Sequence, residues 1–523
     1  MNSTLDARDS HGRVARATVH ASAGIQLASK VDAFVRGSAR GIRVMIGYNS
    51  MPVDSHKRRT RERKWRRSIA ALFALALFAF SGSISQAQPA APPSANGASP
   101  KLDSRSNGNI QHAPANASVA PTAQAIALEE SLTPIQGYQG VLAETLDGTT
   151  IAAQAVENKF NPASAIKLGT ALAALRSFGP NHRFVTSVWA AGKIDRATGT
   201  LNGDLVISGR DPSFRYEHAV MLARQLNELG IKTVTGNLIV APSFTMNFDW
   251  SAKRSGEEFA DSIDSATRSG AATRAWLDDR LLIGDKQSLS SVPSVAIGGE
   301  IVLGSAPPQA TPLVTRKSSK LVDILKALLC YSNNFMADRL GETFGGPEAL
   351  RTLLINWLRL NPDEVWLASA SGLGVNRVTP RAMMAILRGL RDELRKHNLK
   401  FSDIMPVAGI DPGTLEDRYT DAFTRGSVVA KTGTLISTDG GASSLVGQMN
   451  TKSGRVILFV IMNQRGSVVR FRDNQDAIVT AIQNTLGGPA PFAYRPVGLS
   501  MRLANSNYEA AKAAGEYEPH EQQ

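Results

Sequence analysis

A single cysteine, Cys330, stands among 523 residues. No intramolecular disulfide can form, so a cystine-stapled fold and a thiolate metal cluster are both excluded. Of the eight histidines only His182, His218 and His397 fall where the patterning is globular. There is no His-Glu-x-x-His string and no Gly-x-Ser-x-Gly elbow, which leaves metal-assisted hydrolysis and a Ser-His-Asp triad without support. The apolar run Ile69 to Phe80 is 12 residues long, short of the ~20 that a membrane-spanning helix needs. A basic binding face is lacking too. The formal charge is +13, but residues 1–87 carry 15 of the 58 basic side chains and only 5 of the 45 acidic ones. The remainder is nearly balanced, and nucleic acid is not expected as a partner.

The basic excess belongs to an export signal. Lys57-Arg58-Arg59 through Arg66-Arg67 precede the apolar run, and Ser81 to Ala87 follow it with Ser85 and Ala87 at the −3 and −1 positions of a cleavage site. Arg66-Arg67 also permits twin-arginine export, although the rest of that consensus is poor and the general secretory route fits better. Some fifty residues precede this signal, with Met45 and Met51 close upstream of it. Residues 1–50 are therefore expected to be a non-native upstream extension, and 51–87 the signal peptide. From Gln88 the chain is rich in Ala, Pro, Ser and Asn, the composition of a disordered linker over 88–130.

Globular patterning starts with Gly140 to Leu146, the turn Asp147-Gly148 and Thr149 to Val156, a β-hairpin. Asn161-Pro162 then open a helix with Ile166, Leu168, Leu172 and Leu175 at helical spacing, stopped by Gly179-Pro180. Ser164 and Lys167 share one face of its first turn. There a neutral lysine can take the proton of a serine hydroxyl, which by itself is a poor nucleophile. Ser332-Asn333-Asn334 interrupts or joins two apolar helical stretches and equally suits a helix cap. The overlapping Tyr331-Ser332-Asn333 leaves its register open. Lys431-Thr432-Gly433-Thr434 lies in a strand-like run, where a cation and hydroxyls can meet a carboxylate and Gly433 admits a substrate backbone. Lys452-Ser453-Gly454 reads as the turn between two strands.

Ser-x-x-Lys, Ser-x-Asn and Lys-Thr-Gly in this order form the signature set of penicillin-binding proteins and serine β-lactamases. Together with Gly203-Asp204-Leu205, Gly209-Arg210-Asp211-Pro212, Ser371-Gly372-Leu373 and Asn376-Arg377-Val378-Thr379-Pro380, the chain resembles the PBP4-like D-alanyl-D-alanine carboxypeptidases of peptidase family S13 from about Gly137 to Gly488. Arg210 interrupts the usual Gly-Asp-Pro, and Asp211 is open between a loop cap and a substrate contact.

The resemblance implies an α+β fold, an αβα sandwich with a central antiparallel sheet, plus a smaller β-rich inserted domain. The layout it suggests is a discontinuous catalytic domain over 131–207 and 318–488, the insertion over 208–317, and a polar tail over 489–523. It implies a penicillin-sensitive serine carboxypeptidase, and possibly endopeptidase, acting on peptidoglycan stem peptides in the periplasm of a Gram-negative bacterium, with β-lactams as covalent inhibitors. Ser164 is the implied nucleophile, Lys167 the general base, Ser332 the proton relay and Asn334 the holder of the substrate amide. Lys431, Thr432, Gly433 and Thr434 are the implied carboxylate site, and the backbone N–H groups of Ser164 and Thr434 the oxyanion hole. No cofactor or metal is implied. A serine β-lactamase, or an inactive cell-wall-peptide binding protein, are the alternatives. Amino-terminal sequencing of the exported protein is expected to begin at Gln88; a mature chain retaining residues before Lys57 would contradict this layout.

Overall fold

The structure, a computed structural model, describes residues 137–286 and 291–511. The upstream extension, signal peptide and linker lie outside these residues. The described residues belong to one compact unit, Ala115–Gln523.

The first sheet has five strands in the order Val428–Leu435, Ala442–Asn450, Val456–Gln464, Tyr138–Thr145 and Thr150–Gln154, each antiparallel to its neighbour. Its central strand shows why it sits in the middle of a three-layer sandwich. Leu458, Val460 and Met462 join one buried cluster, with Leu168, Leu172 and Leu387, while Ile457, Phe459 and Ile461 join another, with Ile478, Val479 and Ile482. A strand covered on both faces needs apolar residues at both parities, and this one is apolar from Val456 to Met462. The hairpin Tyr138–Thr145 and Thr150–Gln154 turns at Asp147-Gly148, as its sequence demands.

Helix Lys167–Phe178 lies in the helical layer on one face, buried along nearly its whole length from Lys167 to Leu175. Its small residues Gly169, Ala171, Ala173 and Ala174 let neighbours close in, and Gly169 lies against Leu354. The helix on the other face spans Val468–Thr485. It starts at Ser467, an N-cap whose hydroxyl accepts from Arg470 N.

A second, larger sheet runs Asn507–Ala510, Thr311–Lys317, Val185–Asp195, Thr200–Gly209, Thr233–Val234 and Ala296–Ile297, with Leu238–Val240 and Ile301–Leu303 paired off this path. Its short strands pair in parallel, and helices Tyr216–Glu228, Ala252–Ile263 and Gly270–Leu282 accompany them. The sheet reaches beyond 208–317 at both ends. It takes in the long hairpin Val185–Gly209, whose first strand pairs with Thr311–Lys317, and a strand from the carboxyl-terminal tail. Residues 507–510 of the tail are thus part of the fold.

Asp211 is resolved by its surroundings. It is 3% exposed, its Oδ1 accepts from Ser213 N and Oγ, and its Oδ2 meets Arg316 Nη1 at 2.5 Å. Arg316 is itself fully buried, and its other nitrogen donates to Ser506 Oγ at 2.8 Å. Asp211 is therefore a loop cap and the ion-pair partner of a strand residue of the second sheet. Replacing it with alanine would leave a buried guanidinium without its counter-charge, and Asp211→Ala is expected to lower unfolding free energy by about 3–5 kcal/mol in denaturant titration; a loss below about 1 kcal/mol would contradict a buried pair.

Candidate active site

The turn carrying Ser164 is a 3-10 turn, Ala163–Ile166, that leads directly into helix Lys167–Phe178. Ala163 has φ +46°, a left-handed conformation that costs a residue with a Cβ of order 1 kcal/mol or more. Fully buried Asn161 holds it there. Its Oδ1 accepts from Ala163 N at 3.0 Å, and its Nδ2 donates to Gly374 O and Asp439 Oδ2 at 3.0 and 2.8 Å. Two glycines face the same turn. A Cβ on Gly372 would lie 2.0 Å from Ala163 O, and one on Gly433 would lie 2.5 Å from Pro162 O and 2.1 Å from Ser444 Oγ. Gly433 thus has a reason beyond the one read from the sequence: the serine's own turn approaches it.

Lys167 is fully buried. Its Nζ lies 2.8 Å from Ser164 Oγ, 2.7 Å from Asn334 Oδ1 and 2.6 Å from Ser371 O. Burial pushes this amine down to about 7, although Asp338 nearby opposes the shift. Once neutral, it keeps two N–H groups for Asn334 Oδ1 and the Ser371 carbonyl, neither of which can donate to it. Its lone pair then faces the Ser164 hydroxyl, the one partner that can donate.

Ser332 sits just past helix Leu321–Tyr331, at φ +55°. The 411–414 loop secures this helix end, Thr414 N donating to Cys330 O at 3.0 Å. The side chains of the motif, whose register the sequence left open, point in different directions. Ser332 Oγ accepts from Lys431 Nζ at 2.9 Å, Asn333 caps the next helix by accepting from Met336 N, Asn334 meets Lys167, and Tyr331 is 55% exposed. Trp250 meets Phe335 edge to face, ring centroids 4.7 Å apart, and packs against the helix that carries Asn334. Cys330 is buried, which pushes its thiol up to about 12 and leaves it an inert packing group.

Strand Val428–Leu435 is the edge of the five-stranded sheet. Its free side meets the chain at Val407 and Pro406, opposite Val429 and Ala430. Lys431 is fully buried, and its Nζ reaches Ser332 Oγ, Thr432 O at 2.6 Å and Thr432 Oγ1 at 3.4 Å. Burial, reinforced by Lys167, holds this amine well below the usual lysine range. Thr434 is half-buried, and its Oγ1 accepts from Arg472 Nη2 at 2.9 Å.

The three sequence motifs thus converge from a turn, a helix junction and an edge strand. Three supporting roles escaped sequence reasoning, one of them at Ser371, whose motif marks the residue without this role. Asp338 accepts from Ser371 N at 2.8 Å and so anchors the carbonyl that receives Lys167; its only sequence signal is a position four residues after Asn334 on one helix. Ser371 acts through its backbone, which side-chain reasoning cannot see. Arg472 comes from the helix on the far face of the sheet and has no signal at all. Among the described residues, no group of three or more His, Cys, Asp and Glu side chains could hold a metal ion.

The sequence profile of the D-Ala-D-Ala carboxypeptidase 3 (S13) family matches residues 125–297 and 286–485. The carboxypeptidase Rv3627c of Mycobacterium tuberculosis is 25% identical over 399 residues, covering 70% of this chain and 85% of its own. The D-alanyl-D-alanine carboxypeptidase of Actinomadura sp. (strain R39) is 25% identical over 453 residues, 68% of this chain and 82% of its own. Among solved structures, the penicillin G-acylated Bd3459 predatory endopeptidase of Bdellovibrio bacteriovorus, in complex with an immunity protein, has a TM-score of 0.60 at 23% identity, over 71% of this chain and 99% of that one. Penicillin-binding protein 4 of Haemophilus influenzae, complexed with a β-lactam, gives 0.51 at 21%, over 70% and 98%. These two share its penicillin-binding fold.

Gly372→Ala tests the support of the serine turn. The added methyl must displace the Ala163 carbonyl, and at φ +88° it is strained in any case. Calorimetry is expected to show a stability loss of about 1–3 kcal/mol; an unchanged melting temperature would show that the turn is not held by this contact.

Proposed function

The chain belongs to the D-Ala-D-Ala carboxypeptidase 3 (S13) family and is a serine-type D-Ala-D-Ala carboxypeptidase acting on the cell wall; on that premise we propose the following mechanism for its own residues. Neutral Lys167 removes the proton from Ser164 as Oγ attacks the carbonyl between two D-alanines of a peptidoglycan stem peptide. The observation that carries this reading is the buried Lys167 amine, 2.8 Å from Ser164 Oγ and pushed down to about 7. The backbone N–H groups of Ser164 and Thr434 receive the oxyanion. As the C–N bond breaks, Ser332 passes a proton to the leaving amine, and the proton that Lys167 took from Ser164 replaces it through Lys431, the hydrogen-bond partner of Ser332, so that Lys167 is neutral again. Asn334 holds the substrate amide while its Oδ1 restrains Lys167. Thr432, Gly433 and Thr434 line the carboxylate end, and the edge of this strand beyond Ala430, past its contacts with Pro406 and Val407, pairs with the extended peptide. Water, deprotonated by the same lysine, then cleaves the acyl-enzyme and restores Ser164.

The site takes β-lactams as acylating inhibitors, a reading supported by the penicillin G adduct in the Bdellovibrio enzyme of the same fold. That protein's description as an endopeptidase supports cross-link cleavage as a second activity. The export signal directs the enzyme to the periplasm of a Gram-negative bacterium, where its substrate lies. No helix among the described residues is long and apolar enough to cross a membrane.

Acylation by benzylpenicillin, followed by intact-protein mass spectrometry, tests the mechanism. A protonated Lys167 cannot accept the serine proton, so the acylation rate is expected to rise with pH through an apparent value of about 7 and then level off. The adduct is expected on Ser164 and absent from Ser164→Ala. A flat profile from roughly two pH units below that value to two above would remove Lys167 as the base, and an undiminished adduct in Ser164→Ala would remove the nucleophile.

A further inference from the structure

Lys431 is poorly placed to bind a carboxylate directly. It is fully buried, and its Nζ is surrounded by three protein acceptors, Ser332 Oγ, Thr432 O and Thr432 Oγ1. An ammonium has three N–H groups, so none remains for a substrate. Burial and the neighbouring Lys167 also disfavour its charge. A site that must hold an anion at Thr432 and Thr434 therefore lacks a cation in the three motifs.

One stands beside them. Arg472, in helix Val468–Thr485, is exposed, and its Nη2 donates to Thr434 Oγ1 at 2.9 Å. No carboxylate of the described residues pairs with it. Asp476, one turn further along, is taken by Arg418 through a contact of 2.5 Å, while Arg418 also reaches the Arg472 carbonyl. An arginine beside a second arginine, with no acid of its own, is electrostatically unfavourable until an anion arrives. Its guanidinium keeps further N–H groups for that anion, in the fork that suits a carboxylate. By donating to Thr434 Oγ1 it also leaves the threonine O–H free to donate elsewhere.

We propose that Arg472 is the charge that recognises the free α-carboxylate of the leaving D-amino acid, acting together with the hydroxyls of Thr434 and Thr432. The inference rests on the reading of the cleft as a D-Ala-D-Ala peptidase site. It makes Lys431 a positioning residue for Ser332 and moves anion recognition to the helix behind the edge strand. The leaving residue is then selected by its ionised end, whether that residue is a terminal D-alanine or a cross-linking amino acid with a free carboxylate.

The test compares a diacylated Lys-D-Ala-D-Ala peptide with its carboxyl-terminal amide, in wild type, Arg472→Ala and Arg472→Lys. Losing a charged hydrogen-bond partner is expected to lower the preference for acid over amide, as a ratio of kcat/KM, by about ten- to a hundredfold in Arg472→Ala. The loss is expected mainly in KM for the acid, with part of the preference recovered in Arg472→Lys. A misfolded variant would lose both substrates together and leave their ratio unchanged, so melting temperatures are measured alongside. An unchanged ratio in a variant that melts like wild type overturns the role of Arg472. A wild-type enzyme that cleaves neither peptide overturns the peptidase reading itself, and this inference with it.

Discussion

One amine kept out of water governs the architecture of the cleft. Lys167 is fully buried, and it is held by a hydroxyl from its own turn, an amide oxygen from the helix beginning at Asn334 and a carbonyl from the 369–376 loop. Desolvation makes the neutral amine accessible near neutral pH, but it also makes every unmet hydrogen bond expensive. Three elements distant in sequence must therefore meet to within a few tenths of an ångström. That requirement accounts for Asp338, which pins Ser371 from the same helix that supplies Asn334. It also accounts for a nearly all-buried helix behind the serine, whose small residues allow the approach.

The second constraint is steric. The left-handed Ala163 turn projects carbonyls outward, and two glycines from separate segments, Gly372 and Gly433, receive them. Strain at the nucleophile is stabilised by neighbours that have no side chain to interfere, and by Asn161, whose amide bonds to three different segments. A turn held this way keeps Ser164 at a fixed distance from its base, which general-base chemistry rewards.

Much of this was legible in the sequence because it is encoded locally. The Asp147-Gly148 hairpin, the helical spacing from Ile166 to Leu175 and the strands around Lys452-Ser453-Gly454 each carry their own periodicity or turn chemistry. What could not be read is what only the folded chain brings together. The hairpin Val185–Gly209 belongs to the second sheet only through pairings such as that of Val185 with Lys317, far along the chain. Asp211 beside proline looks like an ordinary loop cap until Arg316 closes over it. Arg472 lies on a different layer from the motifs it touches, and no spacing rule links position 472 to 434. The choice between Tyr331 and Ser332 turned on a single left-handed residue, and no one-dimensional pattern reports that conformation.

The strand Asn507–Ala510 carries a consequence for how the molecule comes into being. It completes the edge beside Thr311–Lys317, and Ser506 supplies a partner to the buried Arg316. The second sheet therefore cannot be finished until residues 507–510 have been made, and both sheets are built from segments far apart in sequence. A topology of such long-range pairings folds slowly and late. The hydrolytic centre shares that dependence: its buried amines are satisfied only once segments as far apart as Ser164, Ser332 and Lys431 have met, so a partly made chain carries the motifs without the chemistry.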